Sequence, residues 1–217
     1  MVNKGEVTES MSQESTVRRT RKSPAERRDE IAAAARDIAL ADGLVAVTLR
    51  AVAARVGVAP GLVAHHVDGM DALVADTFGR IVADELDVLL RLMHQKDAAT
   101  ARLGVLIDAV LGDEPNDVTF VWVQGWALGA RSEPLAARVR AEMDAWQAAL
   151  AAEIARGHER GEFGEGDADA IAWHLLAIFD GLGAHGLVSW RDDPSRADLT
   201  RRALAGLLGV PAHALHP

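Results

Sequence analysis

Four tryptophans are spaced so that they could bind a cation. Trp122 and Trp126 are four residues apart and share one face of a helix, and Trp146 and Trp173 lie on neighbouring predicted helices. Aromatic ring faces attract a quaternary ammonium group, with about 0.5–2 kcal/mol for each contact. The same cluster would suit a flat hydrophobic ligand, and packing in a core is the simpler alternative. As further walls of a small-molecule pocket we predict Met93, Leu106, Gln124 and Met143.

Other patterns that could carry chemistry are rejected. Residues 181–186 read GLGAHG and match the glycine spacing of a dinucleotide-binding turn, but such a turn follows a strand, and here a long helical pattern precedes it. His174 and His185 share a helix face, yet at ~1.5 Å of rise per residue they are about 16 Å apart, too far to share a metal ion. The chain has no cysteine, no P-loop and no nucleophile elbow. We therefore predict no metal, no cofactor and no enzymatic activity.

Charge is distributed unevenly along the chain. The net charge is −9, and residues 70–217 carry −10 while residues 1–69 carry +1. A basic segment at 16–28 suits the phosphates of a nucleic acid, although a solvated charge run in a floppy terminus is the alternative. No apolar run is long enough to span a membrane and the N-terminus is polar, so we expect a cytoplasmic protein with no membrane partner. The basic residues of the segment are Arg18, Arg19, Arg21, Lys22, Arg27 and Arg28.

Residues 48–69 predict two short helices joined by a tight corner. Thr48 can cap the first helix, an apolar stripe follows at positions 49, 52, 53 and 56, and Gly57 can end that helix in a left-handed conformation. Pro60 has the fixed φ of a first helical position and opens the second helix. This arrangement is a helix-turn-helix, the unit that places a helix in the major groove of DNA. The second helix exposes Gly61, Leu62, His65 and His66.

The remainder of the chain is also predicted to be helical. SPAE at 23–26 is a capping box with proline at the first helical position, and the helix that it opens ends at Gly43. Later helical patterns cover residues 71–95, 98–111, 118–130, 134–160, 167–189 and about 194–209. We predict an all-α protein of about nine helices. It would comprise a disordered basic arm at 1–22, a three-helix helix-turn-helix domain at 23–69 and a larger helical ligand-binding and dimerisation domain at 70–217.

The helical pattern at 167–189 is apolar on nearly every side. Such a helix has to be buried on more than one face, either at the centre of a monomer or against a second copy of the chain. We favour the second copy, with the last helix completing a four-helix contact. The residues predicted for this dimer interface are Phe179, Leu182, Gly183, Gly186, Leu199, Ala203 and Leu207.

These features together resemble the tetracycline-repressor (TetR) family of transcriptional regulators. The N-terminal motifs are IAAAARDIALADG at 31–43, TLRAVAARVGVAPGLVAHHV at 48–67 and MDALV at 70–74. The C-terminal half is similar to the choline-responsive repressors of that family, through Trp122, Trp126 and Trp146, ARSEPL at 130–135, GEF at 161–163 and DGL at 180–182. The likeness covers most of the chain.

The chain departs from the usual family pattern at three places. Ala64 stands where many members have a tyrosine in the recognition helix, and Ala59 replaces the serine or threonine that often caps that helix. A lysine commonly begins the fourth helix, whereas Gly69, Met70 and Asp71 occupy that start here.

The resemblance implies DNA contacts at particular residues. Thr48 would meet a phosphate through its hydroxyl or backbone amide, and Arg50 would reach the backbone or a base edge. The N-terminal edge of the recognition helix would contact thymine methyl groups through Pro60, Gly61 and Leu62.

Basic and imidazole groups add to these contacts. His65 and His66 would donate to a phosphate or a purine acceptor, unless one of them, more readily His66, packs against the first helix. Arg18, Arg19 and Arg21 would contribute salt-dependent affinity without reading sequence.

The resemblance also implies a function. It implies a homodimer that binds a palindromic operator with two recognition helices about 34–36 Å apart. A hydrophobic or cationic effector in the larger domain would tilt the fourth helix and release the DNA. The alternative from another class is an all-helical small-molecule-binding protein or enzyme with no DNA role.

Overall fold

The computed structural model describes residues 22–112, 117–190 and 196–216, and all regular structure within these ranges is helical. This part of the chain confirms the predicted all-α class with nine α-helices. A 3₁₀ turn, Leu44–Ala46, follows the first helix, and another, Ala212–Leu215, follows the last. The helices are α1 Pro24–Asp42, α2 Leu49–Val56, α3 Pro60–His66, α4 Met70–Met93, α5 Ala99–Leu111, α6 Asp117–Gly129, α7 Glu133–Glu159, α8 Ala168–Gly186 and α9 Arg196–Leu208.

Side-chain caps are present at the starts of α1, α2 and α8. The Oγ of Ser23 accepts from the backbone N–H of Glu26 at 3.2 Å, and the Glu26 carboxylate accepts from the N–H of Ser23 at 2.7 Å, so the predicted capping box is present. Helix α8 ends three residues before the predicted position, and Ser189 beyond it has a left-handed φ of 51°. The predicted start of the last helix at 194 lies outside the described residues.

The first three helices form a compact unit around small apolar side chains. Ile31, Ala35 and Ile38 of α1 are buried, as the sequence periodicity predicts. Val52 on α2 and Val63 on α3 are fully buried against them. Removing such side chains from water is the main stabilising contribution, about 25 cal/mol for each Å² of apolar surface.

The larger part of the fold is arranged around α4 and α7, the two longest helices. They pack along each other, α7 also contacts α6 and α8, and α9 packs on α5 and α8. One continuous core extends from Ile31 in α1 to Leu215 near the C-terminus. Helix α1 packs against α4 and α6 within this core, so the division at residues 69 and 70 stays a prediction.

A buried ion-pair cluster joins α5 to α7. The Glu153 side chain of α7 is completely buried and pairs with Arg102 of α5 at 3.2 Å and with Arg156 of its own helix. A carboxylate without access to water requires such partners, because an unpaired buried charge is strongly destabilising. Within the described ranges, no helix combines the length and the apolar character needed to cross a bilayer.

Candidate DNA-binding face and ligand cavity

Helices α2 and α3 form the corner that the sequence predicts. The Thr48 Oγ1 accepts from the Ala51 N–H at 3.2 Å and caps α2. Gly57 ends α2 with φ 72° and ψ 42°, a left-handed conformation that costs glycine no steric penalty. Ala53, which is 1% exposed, lies between the two helices and allows their close approach. The geometry is that of a helix-turn-helix.

The outer side of α3 is exposed to solvent and is therefore accessible to DNA. Pro60 and Gly61 are exposed, and Leu62 is exposed despite its apolar side chain. Arg50, on the neighbouring face of α2, is exposed as well. No side chain caps α3, as expected from Ala59. Pro60 has no N–H, and the N–H of Leu62 donates to the carbonyl of Ala59 at 2.9 Å.

The two adjacent histidines have different surroundings. His65 is exposed, whereas His66 is half-buried and lines a cleft between α1 and α4 beside Arg28 and Arg80. Their ring centroids are 5.4 Å apart in an edge-to-face arrangement. This placement favours His65 for DNA contact and packing for His66. Arg18, Arg19 and Arg21 lie outside the described residues.

A small cavity lies between α4, α5, α6, α7 and α8. Its volume is about 50 Å³, so a ligand of several heavy atoms requires some of the walls to move. Its rim includes Met143, a flexible side chain that is 37% exposed. The lining residues are Glu85, Val110, Thr119, Trp122, Trp126, Met143, Trp146, Leu176, Phe179 and Asp180.

Aromatic rings form one side of this cavity. The centroids of Trp122 and Trp126 are 5.7 Å apart, and Phe78 contacts Trp122 edge-to-face at 5.2 Å. These contacts fix the orientation of the two α6 indoles. The Nε1 atoms of Trp126 and Trp146 are buried and have no hydrogen-bond partner in the described part of the chain. Both are candidate donors to a ligand, since buried N–H groups are nearly always paired.

Two carboxylates line the same cavity, Glu85 from α4 and Asp180 from α8. Burial raises the pKa of Asp180 to about 6, because a partly desolvated carboxylate favours its neutral form. A cation bound beside it would favour the ionised form and offset that penalty. The cavity thus combines aromatic faces, negative charge and indole N–H donors.

The structure brings together half of the predicted pocket residues. Trp122, Trp126, Met143 and Trp146 line the cavity. Met93 and Leu106 are instead core residues, each 1% exposed, because both lie on the inner stripe of their helices. Gln124 and Trp173 also differ from the prediction.

Neither Gln124 nor Trp173 lines the cavity. Gln124 is opposite Trp122 on α6, and its Oε1 accepts from the N–H of Val45 at 3.3 Å. Trp173 is 70% exposed on the outside of α8, in a groove of about 540 Å³ that shares Met143, Leu176 and Asp180 with the cavity.

Six lining residues were not predicted for the pocket from the sequence. One of them had a detectable signal, because Asp180 is a single carboxylate within the apolar run IFDGLG at 178–183. Phe179 was predicted for the dimer interface instead. The other four are of types that occur throughout the chain, so spacing alone could not select them: Glu85, Val110, Thr119 and Leu176.

Helices α8 and α9 present an apolar outer face. Trp173 on α8 is 70% exposed, and Val188 and Trp190, just beyond its end, are 75% and 54% exposed. On α9, Leu199 and Leu207 are 50% and 40% exposed, and Ala203 between them is exposed too. Exposed apolar side chains therefore lie on both helices.

Of the α8 residues predicted for a dimer interface, Phe179 is buried, whereas Leu182, Gly183 and Gly186 are half-buried. Phe179 is 5% exposed and lines the cavity, and Leu182 packs against the core. Gly183 faces Thr119 of α6, and Gly186 faces Arg196. An all-round apolar pattern could not show which side of α8 faces inward.

The glycine pattern at 181–186 forms the last part of α8, in agreement with the rejection of a dinucleotide-binding turn. Such a turn must separate a strand from a helix, and here these residues continue a helix. In the described ranges, His, Asp and Glu side chains form no cluster of three that could hold a metal ion.

The C-terminal half of the chain matches the model of a known protein family. A family model for the C-terminal domain of BetI-type transcriptional repressors matches residues 99–209. No curated protein matches the chain significantly.

Solved structures share the fold over most of the chain. A transcriptional regulator from Saccharomonospora viridis in complex with choline is 24% identical, with a TM-score of 0.71 over 85% of this chain and 96% of the other. A TetR-family regulator from Rhodococcus sp. is 23% identical, with a TM-score of 0.70 over 85% of this chain and 99% of the other. A TetR regulator from Haloarcula marismortui is 21% identical, with a TM-score of 0.70 over 85% and 97%.

Proposed function

Because this chain belongs to the TetR family of transcriptional regulators, we propose that it is a ligand-responsive repressor that binds a palindromic operator as a homodimer. The single observation that carries this proposal is the coexistence of an exposed recognition helix and a separate cavity that suits a small cation. The first would bind DNA and the second would sense the effector.

The α3 helix would enter the major groove. Leu62 and His65 are exposed at successive turns of the helix, where an apolar contact to a thymine methyl and a hydrogen bond to a purine are both accessible. Thr48 and Arg50, both exposed, would fix the helix on the DNA backbone. The net charge of −10 on residues 70–217 would keep the rest of the protein away from DNA.

The outer face of α8 and α9 would form the homodimer. Burial of Trp173, Val188, Leu199 and Leu207 against the same residues of a second copy would remove a large apolar surface from water. A two-fold axis through this face would present two α3 helices to two half-sites. This proposed interface would contain the predicted α9 residues together with the exposed apolar residues of α8.

The effector would be a small cation that carries an oxygen atom. Trp122, Trp126 and Trp146 supply ring faces for a quaternary ammonium group, and Glu85 and Asp180 supply opposite charge. The Nε1 donors of Trp126 and Trp146 would bind an oxygen on the same molecule. One structural neighbour contains choline, which combines these two groups.

Binding of this effector would weaken operator affinity. The cavity of about 50 Å³ has to enlarge, and α4 and α6 both contribute to its walls. Helix α4 follows α3 directly, so a displacement of α4 changes the separation of the two recognition helices. The effector then favours the conformation that does not fit DNA.

Operator binding can be tested with the DNA upstream of the gene for this chain. We expect fluorescence anisotropy to show tight binding at low salt that weakens steeply as salt is raised. An Arg50→Ala variant should bind more weakly, whereas Arg140→Ala, on the exposed surface of α7, serves as the matched control. Absent or salt-insensitive binding would instead favour a small-molecule-binding protein or enzyme without a DNA role.

Effector chemistry can be tested by tryptophan fluorescence with three probes. Choline has the cation and the oxygen, tetramethylammonium has only the cation, and the neutral carbon isostere of choline has only the oxygen. We expect choline to bind more tightly than either of the others, because the charge and the oxygen each have a partner in the cavity. Equal affinity for choline and its neutral isostere would exclude a cation site.

A further inference from the structure

Helix α6 lies between the ligand cavity and the helix-turn-helix unit and contacts both. Trp122 and Trp126 face the cavity, while Phe120 and Gln124 are two positions away on the opposite side. That opposite side packs against α1 and the 3₁₀ turn Leu44–Ala46. A rigid helix with these two faces can transmit a displacement from one site to the other.

Gln124 on α6 accepts a hydrogen bond from the backbone of the 3₁₀ turn that leads to the helix-turn-helix. The 3₁₀ turn begins after Gly43, which has no side chain and therefore cannot cap it. The Oε1 of Gln124 accepts from the N–H of Val45 at 3.3 Å and satisfies one of the free donors of that turn. The two residues are 79 positions apart in the chain, so this bond connects separate parts of the fold.

Gly43 also makes close contact with α6. It has φ 85°, and a Cβ placed on it would lie 2.5 Å from Gln124 Nε2 and 2.7 Å from Phe120 Cε1. The backbone of the turn is thus in direct contact with the outer side of α6. If α6 moves towards this turn, it must displace the backbone of the turn, because there is no empty space between them.

We propose that Gln124 is the positioning residue through which occupancy of the cavity changes the conformation of the helix-turn-helix unit. The turn leads through Val47 directly to Thr48, which caps α2. A ligand that enlarges the cavity displaces Trp122 and Trp126 with α6. The displacement presses the outer side of α6 against the turn, which distorts the hydrogen bond between Gln124 and Val45 and shifts the start of α2. The inference rests on the proposed function for its biological meaning, but the mechanical link can be measured without DNA or ligand.

The test is hydrogen exchange in the full-length protein, with three changes at two positions. Gln124→Met keeps the size of the side chain and removes the acceptor, whereas Gln124→Glu keeps an acceptor oxygen. Leu176→Phe adds volume to a cavity-lining side chain of α8 and stands in for an occupied pocket. The readout is the exchange rate of backbone amides at residues 44–49, with amides of α7 as the internal reference.

We expect Gln124→Met to accelerate exchange at Val45 about fivefold, the factor for loss of one ordinary hydrogen bond. Gln124→Glu should exchange at the wild-type rate. Leu176→Phe alone should accelerate exchange at 44–49. Combined with Gln124→Met in a double variant, it should add little, because the link is already lost.

Three results would overturn the proposal: no change in Gln124→Met, no effect of Leu176→Phe at 44–49, or an equal effect of Leu176→Phe with and without Gln124. None of these depends on operator binding. If the protein fails to bind DNA but shows the expected exchange pattern, the link between α6 and the turn stands and the proposed function is wrong. If the protein binds DNA but does not show that pattern, the proposed function stands and the link is wrong.

Discussion

Replacement of Asp180 by asparagine should have opposite effects on stability and on ligand binding. Asp180 is a partly buried carboxylate whose pKa rises to about 6 from an ordinary value of 3.8, and burial is the cause. The folded protein therefore binds a proton at this site more readily than the unfolded chain does. The contribution to stability is fully present below about pH 3.8 and is lost as the pH rises through about 6.

The size of the effect follows from that change in pKa. A rise from 3.8 to about 6 corresponds to about 3 kcal/mol, and solvent screening of the exposed part of the carboxylate reduces this to about 1 kcal/mol. Asp180→Asn removes the unfavourable charge, so the melting temperature at pH 8 should rise by about 2–4 °C. At pH 4 the two proteins should melt together, because Asp180 is then protonated in the folded state.

The same change should weaken binding of a cation. At an effective dielectric constant of about 20, a charge pair about 4 Å apart interacts by about 4 kcal/mol, and desolvation of the two ions offsets much of it. We expect about a tenfold loss of choline affinity in a tryptophan fluorescence titration at pH 8. Wild-type affinity should also fall below pH 6 as Asp180 is protonated, while the affinity of Asp180→Asn stays nearly constant over that range.

A matched control separates local from general charge effects. Asp87 is exposed on α4 and does not line the cavity, so Asp87→Asn removes the same charge with little change in melting or affinity. An Asp180→Asn variant that binds choline as tightly as the wild type and retains its pH dependence would refute this role of Asp180. An Asp87→Asn variant that reproduces the whole effect would refute it as well.

Three further predictions concern other parts of the molecule. Replacing Arg18, Arg19 and Arg21 together by alanine should lower affinity for all DNA sequences and reduce the salt slope by about 2–3, and an unchanged slope would remove the arm from DNA binding. Leu199→Glu should yield folded monomers in analytical ultracentrifugation and weaken operator binding, because a charge is placed on the proposed dimer face; a stable dimer would locate the interface elsewhere. Glu153→Ala should reduce the free energy of unfolding by about 2–4 kcal/mol in urea denaturation, because two arginines lose their buried partner. A loss below about 1 kcal/mol would show that water solvates the two arginines as well as Glu153 does.

Local signals in the sequence were sufficient to predict the helical elements. The capping box at Ser23, the left-handed Gly57 and the apolar stripe of α2 each depend on residues within one or two helical turns. Such short-range chemistry predicts where helices begin and end to within a few residues. The α6 face that lines the cavity was predicted for the same reason, because Trp122 and Trp126 are one turn apart.

Contacts between distant helices were harder to predict. The pattern of α8 is apolar on all sides, so it could not distinguish Phe179, which faces the cavity, from Trp173, which faces outward. Gln124 was predicted as a pocket residue, although its position two residues from Trp122 already placed it on the opposite side of α6. Its partner is the backbone N–H of Val45. Every residue except proline has such a group, so the sequence does not indicate which one bonds to Gln124.

Selection from a pool of random duplexes can show whether this chain reads a symmetric DNA sequence through α3. The wild-type protein should enrich a palindrome with half-sites about one helical turn apart or a multiple of it. Adding choline during the selection should reduce the enrichment. Recovery of an unchanged random pool by a well-folded protein at low salt would show that α3 does not read a DNA sequence.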